Sequence, residues 1–551
     1  MAKKRIIICS NVYPPHFIGG AELIAHYQAK KLKELGHDVI IFAGDSEIPK
    51  KRYDLRQDTY EGLSVYRIRL QPQDYSPDFF NFFHRPVNDH FNRLIDDFSP
   101  DVVHFHNLIG LSVGLIHSAK RRGIKTVLTL HDHWGFCFKN TLIRREEEIC
   151  HEYSRCEECM PFIQDEERRG IPILMRKDFL TMQFSKVDAF ISPSRYLAGA
   201  YIRAGMAKEK FKVIGYGIDV ERFSRVLKKE SPGVLRFTFV GYLGWHKGIH
   251  TILNALPQID LKHRYRVNLV GIGSEVERYK EQVRKMGLQD AVRFWGKIDN
   301  SRIEDVYQET DVFLLSSIWP ENQPVTIMEA MATRTPVIAS RIGGNPELVE
   351  DGRTGYLYDA GNASQLAQKM MALILDPGKL KALGENGHRK ISNHTYENQV
   401  RKILQVYEEK TLGHESPPQI ILCVGKHVNP ECARAMKAFK EKPKREKCHF
   451  VMRDWFEADQ FPQAKLLWVV DDQARVDDVV EGLRQGIPLL VPEAHPELKG
   501  LCSSANCGLY YRNGIEAEAC LEYLLRNPKT ASVISQNGYK RLQRDRFLNS
   551  A

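Results

Sequence analysis

Short runs that are almost wholly apolar recur along the first 340 residues of this chain, each separated from the next by a longer amphipathic stretch. The first series is Arg5-Ile6-Ile7-Ile8-Cys9, Val39-Ile40-Ile41-Phe42, Val102-Val103-His104-Phe105, Thr126-Val127-Leu128-Thr129 and Ala189-Phe190-Ile191. A strand open to water on one side alternates apolar with polar; a run without alternation is buried on both faces, as in parallel sheets covered by helices. A second series reads Phe237-Thr238-Phe239-Val240, Val267-Asn268-Leu269-Val270, Val312-Phe313-Leu314-Leu315 and Pro336-Val337-Ile338-Ala339. The expected fold class is therefore α/β: two Rossmann-like, doubly wound parallel-sheet domains in tandem, with ligands in the cleft at the carboxyl ends of their strands. The boundary between them is expected near Val220 to Pro232, which gives domains at 1–222 and 223–412.

The composition breaks around Ser416-Pro417-Pro418, and a third strand-led segment starts at Ile420. Glu329 precedes Pro336 by seven residues, as Glu481 precedes Pro488; Pro346-Glu347-Leu348 recurs as Pro496-Glu497-Leu498, and Gly355-Tyr356 as Gly508-Leu509. Residues 416–551 thus read as a smaller, degenerate copy of the second domain. Gln473 stands where Glu321 would, Glu481 keeps the place of Glu329, and nothing matches Lys247, so the tail is expected to be structural or to mediate partner binding or self-association.

A chain of 551 residues with 43% apolar content can bury several cores. Its basic excess, 79 Lys plus Arg against 69 Asp plus Glu, is spread along the chain, which suits phosphorylated metabolites or an acidic membrane surface and argues against nucleic acid. No stretch of about 18 apolar residues occurs, and the apolar run at the N-terminus is too short for a signal peptide. The expected location is cytoplasmic, with a peripheral position at the inner membrane face as an alternative.

Two glutamates eight positions apart in Trp319-Pro320-Glu321-Asn322-Gln323-Pro324-Val325 and onward to Glu329 raise the question of function. Pro324 favours a helix start, and Pro324 to Thr333 is the expected helix, with unsatisfied backbone N–H groups at its mouth that suit phosphate. Glu329, one turn inside, can accept hydrogen bonds from both hydroxyls of a ribose; Glu321 would face the transferred sugar. Val240-Gly241-Tyr242-Leu243-Gly244-Trp245-His246-Lys247-Gly248 joins a strand to a helix and brings Lys247 toward a diphosphate. Gly271 and Gly273 form a further turn of weaker import. The competing reading is that the glutamates are solvated helix-end residues and the glycines ordinary turns.

Taken together with Tyr13-Pro14-Pro15, Gly19-Gly20-Ala21-Glu22, Thr129-Leu130-His131-Asp132, Ser192-Pro193-Ser194 and Gly217-Ile218-Asp219, these motifs make residues 5 to about 407 resemble the retaining glycosyltransferases of family 4, which have the GT-B architecture. The resemblance implies a nucleotide-sugar donor (UDP-, GDP- or similar) in the second domain, a glycan or lipid-linked acceptor on the first, no metal or other cofactor for the transfer, and a helix near 397–410 crossing back to the first domain. It implies catalytic roles for His131, Lys247 and Glu321, with His131 near the reacting sugar, bonding a hydroxyl or supporting positive charge. It implies donor contacts at Gly19, Gly20, Tyr242, Gly271, Gly273, Asn322, Gln323, Pro324, Val325 and Glu329. Two departures stand out: Tyr242 where relatives carry an arginine, with His246 and Arg341 as replacement cations, and Tyr216 where Asn is common. They favour the alternative of a non-transferring relative, such as an epimerase or a sugar-nucleotide-binding regulator.

Cys137, Cys150, Cys156 and Cys159 fall in one polar insertion (137–159) that ends in Cys-x-x-Cys. Either they hold a structural zinc, or they are free thiols or a redox-labile pair. Phe79 to Arg85 and His90 to Arg93 mix aromatics with bases, readable as a membrane or lipid contact or as an ordinary packed helix.

Overall fold

The computed structural model describes residues 3–16, 19–77, 79, 81–144, 148–151, 153, 156–164, 170–260 and 264–409, and in the tail 419–424, 430–440, 448–453, 464–470, 487–505, 508–511, 513–527, 530–531, 533–534 and 537. Two units divide the chain, Met1–Thr411 and Leu412–Ala551.

In the first unit the predicted apolar runs become the inner strands of two sheets. The first contains β1 (Arg5–Ser10), β2 (Asp38–Asp45), β3 (Leu55–Tyr60), β4 (Leu63–Arg69), β5 (Val102–Phe105), β6 (Lys125–Thr129), β9 (Ala189–Ser192) and β10 (Phe211–Val213). Its order is β10-β9-β6-β5-β1-β2-β4-β3, and all pairings are parallel except β3 with β4. A small hairpin of β7 (Phe162–Gln164) and β8 (Gly170–Pro172) stands apart from it. The second sheet is wholly parallel in the order β13-β12-β11-β14-β15-β16: β11 (Leu235–Val240), β12 (Tyr265–Val270), β13 (Val292–Gly296), β14 (Val312–Leu315), β15 (Val337–Ser340) and β16 (Gly355–Tyr358).

Ile6 and Ile8 of β1 point to one face of the first sheet, where they pack with Ala25 and Leu32 of the helix Gly20–Glu34. Val400, Ile403, Leu404 and Tyr407 of the helix Tyr396–Glu408 join the same core, so a segment that follows the second sheet in sequence closes the back of the first. Ile7 and Cys9 point the other way, against Phe91 and Leu94 of the helix Arg85–Phe98. This two-sided burial explains the unbroken apolar runs.

Phe82 and Phe91 are fully buried and Phe83 packs on that same core. Phe82, Phe83 and Phe91 of the aromatic stretch thus pack into the core, and Phe80 lies outside the described residues. Among the described residues no helix is long and apolar enough to cross a membrane.

The second unit has its own parallel sheet, β18-β17-β19-β20-β21, formed by β17 (Gln419–Val424), β18 (Cys448–Arg453), β19 (Ala464–Val469), β20 (Leu489–Pro492) and β21 (Gly508–Tyr511). The order is that of the second sheet with β11 left out. Its core is pinned by Tyr511, whose hydroxyl receives the Trp468 indole N–H at 3.1 Å. Gln473 and Glu481 lie outside the described residues.

Candidate active site

The site is assembled where loops beyond the carboxyl ends of the two sheets of the first unit meet. After β11 the chain makes a single turn, Trp245–Lys247, closed by Gly248 in left-handed conformation. That turn is stitched to the end of β14: Ser316 Oγ donates to the Lys247 carbonyl at 2.8 Å, and the Ile318 N–H to the His246 carbonyl at 3.0 Å. The stitching delivers Lys247 Nζ to Glu321 Oε1 at 2.6 Å. The same oxygen accepts Ser317 Oγ–H at 2.6 Å and Trp319 Nε1–H at 2.9 Å, while Nζ lies 4.8 Å from the centre of the Trp319 ring. Burial pushes the Glu321 carboxyl upward, but Lys247 and these donors outweigh it and hold the pKa below the ordinary value. Oε2 has no hydrogen-bond partner among the described residues.

The Glu321 loop is shaped from beneath by Gly343 and Gly344. A Cβ on Gly343 would stand 2.2 Å from the Glu321 carbonyl oxygen, and Gly343 has φ +58°. The Gly344 N–H donates to that carbonyl at 2.6 Å. Side chains at this pair would push the glutamate loop out of place.

The helix begins one residue later than predicted: Pro324 is its cap and Val325–Ala332 its body. Glu329 Oε2 accepts the Tyr307 hydroxyl at 2.8 Å. Burial raises the Glu329 carboxyl to about 7, against the pull of the Tyr307 hydroxyl and of Arg222. Arg222 itself is paired with Glu304.

On the facing side, His131 follows β6. Its carbonyl accepts Asn322 Nδ2–H at 2.6 Å, and the Tyr216 N–H donates to Gln323 Oε1 at 2.5 Å. Farther along, Glu347 accepts from the first two N–H groups of the helix Arg195–Arg203, at 2.9 Å from Arg195 and 2.7 Å from Tyr196. These contacts join the glutamate loop and the short helix Asn345–Leu348 after β15 to the first lobe, so Lys247, Glu321, Asn322, Gln323 and His131 share one cleft.

The His131 ring departs from expectation. Nδ1 is 2.8 Å from the Tyr216 hydroxyl and Nε2 is 2.9 Å from His106 Nδ1, so both nitrogens are already engaged. Burial lowers its pKa to about 3. A ring in this state is neutral. Beside it, burial raises Asp132 to about 6, and its Oδ1 accepts the Trp134 N–H at 2.8 Å.

Gly19 and Gly20 open the helix Gly20–Glu34, and the Gly19 N–H donates to Glu22 Oε2 at 2.9 Å. Nothing lies within 4 Å of where a Cβ would sit on either, and neither is left-handed, so packing and backbone conformation leave the choice of glycine unexplained. Gly271 and Gly273 are different. Their Cβ atoms would come within 1.9 Å of the Gly241 oxygen and 2.3 Å of the Leu243 oxygen, so close backbone approach between two loops accounts for both.

Tyr242 is half exposed and its hydroxyl accepts the Ser274 N–H at 3.1 Å. Of the expected replacement cations, Arg341 pairs with Asp351 at 3.0 Å, and burial lowers His246 to about 4. Lys247 is likewise paired, with Glu321.

Cys137, Cys150, Cys156 and Cys159 line one small cavity with Phe136 and Tyr153, and no disulfide joins them. Burial raises the Cys137 thiol to about 11. Among the described residues no three His, Cys, Asp or Glu side chains are gathered so as to hold a metal ion.

Sequence reasoning did not find Tyr307, Ser317, Trp319 or His106 as partners of the site residues, and it noticed Glu347 only as part of a repeat. Each partnership joins positions from separate loops or strands whose meeting depends on the fold.

Two facing parallel-sheet lobes with convergent polar loops are the GT-B architecture. Family models agree with that architecture: "Glycosyltransferase Family 4" matches residues 18–222 and "Glycosyl transferases group 1" matches residues 221–390. The chain belongs to glycosyltransferase family 4. An uncharacterised glycosyltransferase of Methanocaldococcus jannaschii, MJ1069, is 24% identical over 422 residues, 74% of this chain and 99% of that protein. The glycogen synthase of Mycobacterium tuberculosis (strain H37Rv) is 24% identical over 451 residues, 78% of this chain and 100% of that protein. Among solved structures, Anabaena Alr3699/HepE in complex with UDP-glucose superposes with a TM-score of 0.52 at 20% identity, covering 73% of this chain and 100% of that one.

Proposed function

We propose that this chain is a retaining, metal-independent transferase that moves a sugar from a nucleoside diphosphate to a hydroxyl of a glycan or lipid-linked acceptor, in polysaccharide or glycolipid synthesis. The observation that carries this reading is the gathering of Lys247, Glu321 and the mouth of the helix Val325–Ala332 opposite His131. Support for the donor class comes from the relative solved with UDP-glucose, and for the product class from the glycogen synthase.

Breaking the bond from the anomeric carbon to the diphosphate leaves growing negative charge on the phosphate oxygens. Lys247 answers it by exchanging its contact with Glu321 for the phosphate, aided by the N–H groups of Val325 and Thr326; loss of one such contact typically slows a reaction by roughly 100- to 1000-fold. Glu321 then binds a sugar hydroxyl, and Glu329 takes the ribose. The departing phosphate accepts the acceptor's proton, and the new bond forms on the face it leaves.

Tyr242, and the engagement of Arg341 by Asp351, favour a second reading, in which a site with one cation binds the donor without transferring it. Hydrolysis and transfer measured over a panel of nucleotide sugars separate the two. Turnover of at least one donor is expected; binding of a donor with no turnover under any acceptor would establish the second reading. Residues 416–551 serve partner binding or self-association in this scheme, and deletion after Leu412 leaves donor hydrolysis in place.

A further inference from the structure

His106, His131 and Tyr216 form a flat, hydrogen-bonded ribbon along the cleft. The ring centroids are 5.1 Å apart for His106 and His131 and 5.6 Å for His131 and Tyr216, with planes inclined by 22° and 17°. Atoms of rings packed face to face do not approach closer than about 3.5 Å. The contacts of 2.9 and 2.8 Å between polar atoms therefore join the rings edge to edge in nearly one plane.

Two proton arrangements satisfy the ribbon. In one, the Tyr216 hydroxyl donates to the Leu130 carbonyl at 3.4 Å, His131 Nδ1–H donates to the phenol oxygen, and His106 Nδ1–H donates to His131 Nε2. In the other, the phenol donates to His131 Nδ1, and His131 Nε2–H donates to His106 Nδ1. Both use both nitrogens of His131. Tyr216 is buried and also braces Gln323 through its backbone N–H, while Asn322 holds the His131 carbonyl, so the ribbon is fixed from both lobes.

What His131 can offer a ligand is consequently ring face and C–H edge, which suit an apolar part of a sugar and leave a hydroxyl without a partner. Resting on the donor reading above, we infer that Tyr216 is a specificity-determining residue and that the donor is a deoxyhexose nucleotide, its deoxygenated position set against the His131 ring.

The test is binding and turnover of UDP-glucose and GDP-mannose beside their 4-deoxy and 6-deoxy forms, with the full chain and with Tyr216→Phe, which frees His131 Nδ1 without adding bulk. The wild type should favour one deoxy form over its parent by roughly 10- to 100-fold in kcat/KM, and Tyr216→Phe should shrink that ratio several-fold. A wild-type preference for the fully hydroxylated parent, a deoxy preference that Tyr216→Phe leaves unchanged, or failure to bind any of the six would overturn the inference while leaving the donor reading intact; failure to bind any nucleotide sugar of the wider panel would overturn both. Should Tyr216→Phe not fold, the wild-type ratio decides alone.

Discussion

Lys247 Nζ and Glu321 Oε1 stand 2.6 Å apart across 74 residues of sequence, and both side chains are largely shielded from water. In the proposed mechanism the pair stores the site's cation on its own carboxylate until a diphosphate competes for it. Removing one partner of a buried pair strands the other charge, at a cost of about 3–5 kcal/mol.

Lys247→Ala should lower kcat by roughly 100- to 1000-fold and also reduce thermal stability. Adding Glu321→Gln should recover the stability and not the activity. Calorimetric unfolding of the two single variants and the double variant, alongside rates, checks this; full-rate turnover by Lys247→Ala would remove the lysine from the reaction.

The Glu329 carboxyl has a folded-state pKa of about 7, above its ordinary value of 4.5. The stability that goes with its protonated form is fully present below pH 4.5 and is lost as pH rises through 7. Glu329→Gln lacks this penalty, which is on the order of 3 kcal/mol at pH 8. The variant should therefore melt several degrees, roughly 3–5 °C, higher than wild type at pH 8, and no higher near pH 4.5.

Burial lowers both His104 and His131 to about 3. His104 is held neutral between the Tyr407 hydroxyl at 2.6 Å and Thr129 Oγ1 at 2.7 Å. Their folded pKa values lie below the unfolded ones, so the stability they contribute is present above pH 6.5 and is lost as pH falls toward 3. Urea midpoints should drop across that window with a slope reaching about 1.4 kcal/mol per pH unit for each histidine, and His104→Gln should flatten it. A midpoint independent of pH from 6.5 to 4 would contradict the buried neutral rings.

Glu347 fastens the second lobe to the first through two charge-assisted hydrogen bonds at a helix N-terminus. Glu347→Ala should weaken this attachment by about 10-fold. Calorimetric unfolding should show a lower melting temperature and donor KM should rise, with kcat changing less.

The inner strands were legible because double-sided burial leaves no room for polar positions, as in Ile6 to Cys9 and Phe237 to Val240. β3, Leu-Arg-Gln-Asp-Thr-Tyr, is largely exposed at a sheet edge and carries no such pattern, and it was missed. Of the site, Lys247, Glu321 and Glu329 could be named because loop and helix-end positions limit what a charged residue can do there. Their partners could not. That Lys247 closes on Glu321 depends on the Ser316 hydroxyl holding one loop to another, and that His131 is occupied depends on Tyr216, 85 residues away. The glycines show the same limit from the other side: Gly271 and Gly19 look alike in sequence, yet a neighbouring backbone explains only the first.

The central claim is that Glu329 and the Lys247–Glu321 pair hold one nucleotide sugar in a shared cleft. Titration calorimetry of the donor that turns over, against wild type and Glu329→Ala, tests it most directly. Loss of measurable donor binding by a variant that still melts cooperatively is the expected result. Unchanged affinity in that variant would contradict the account.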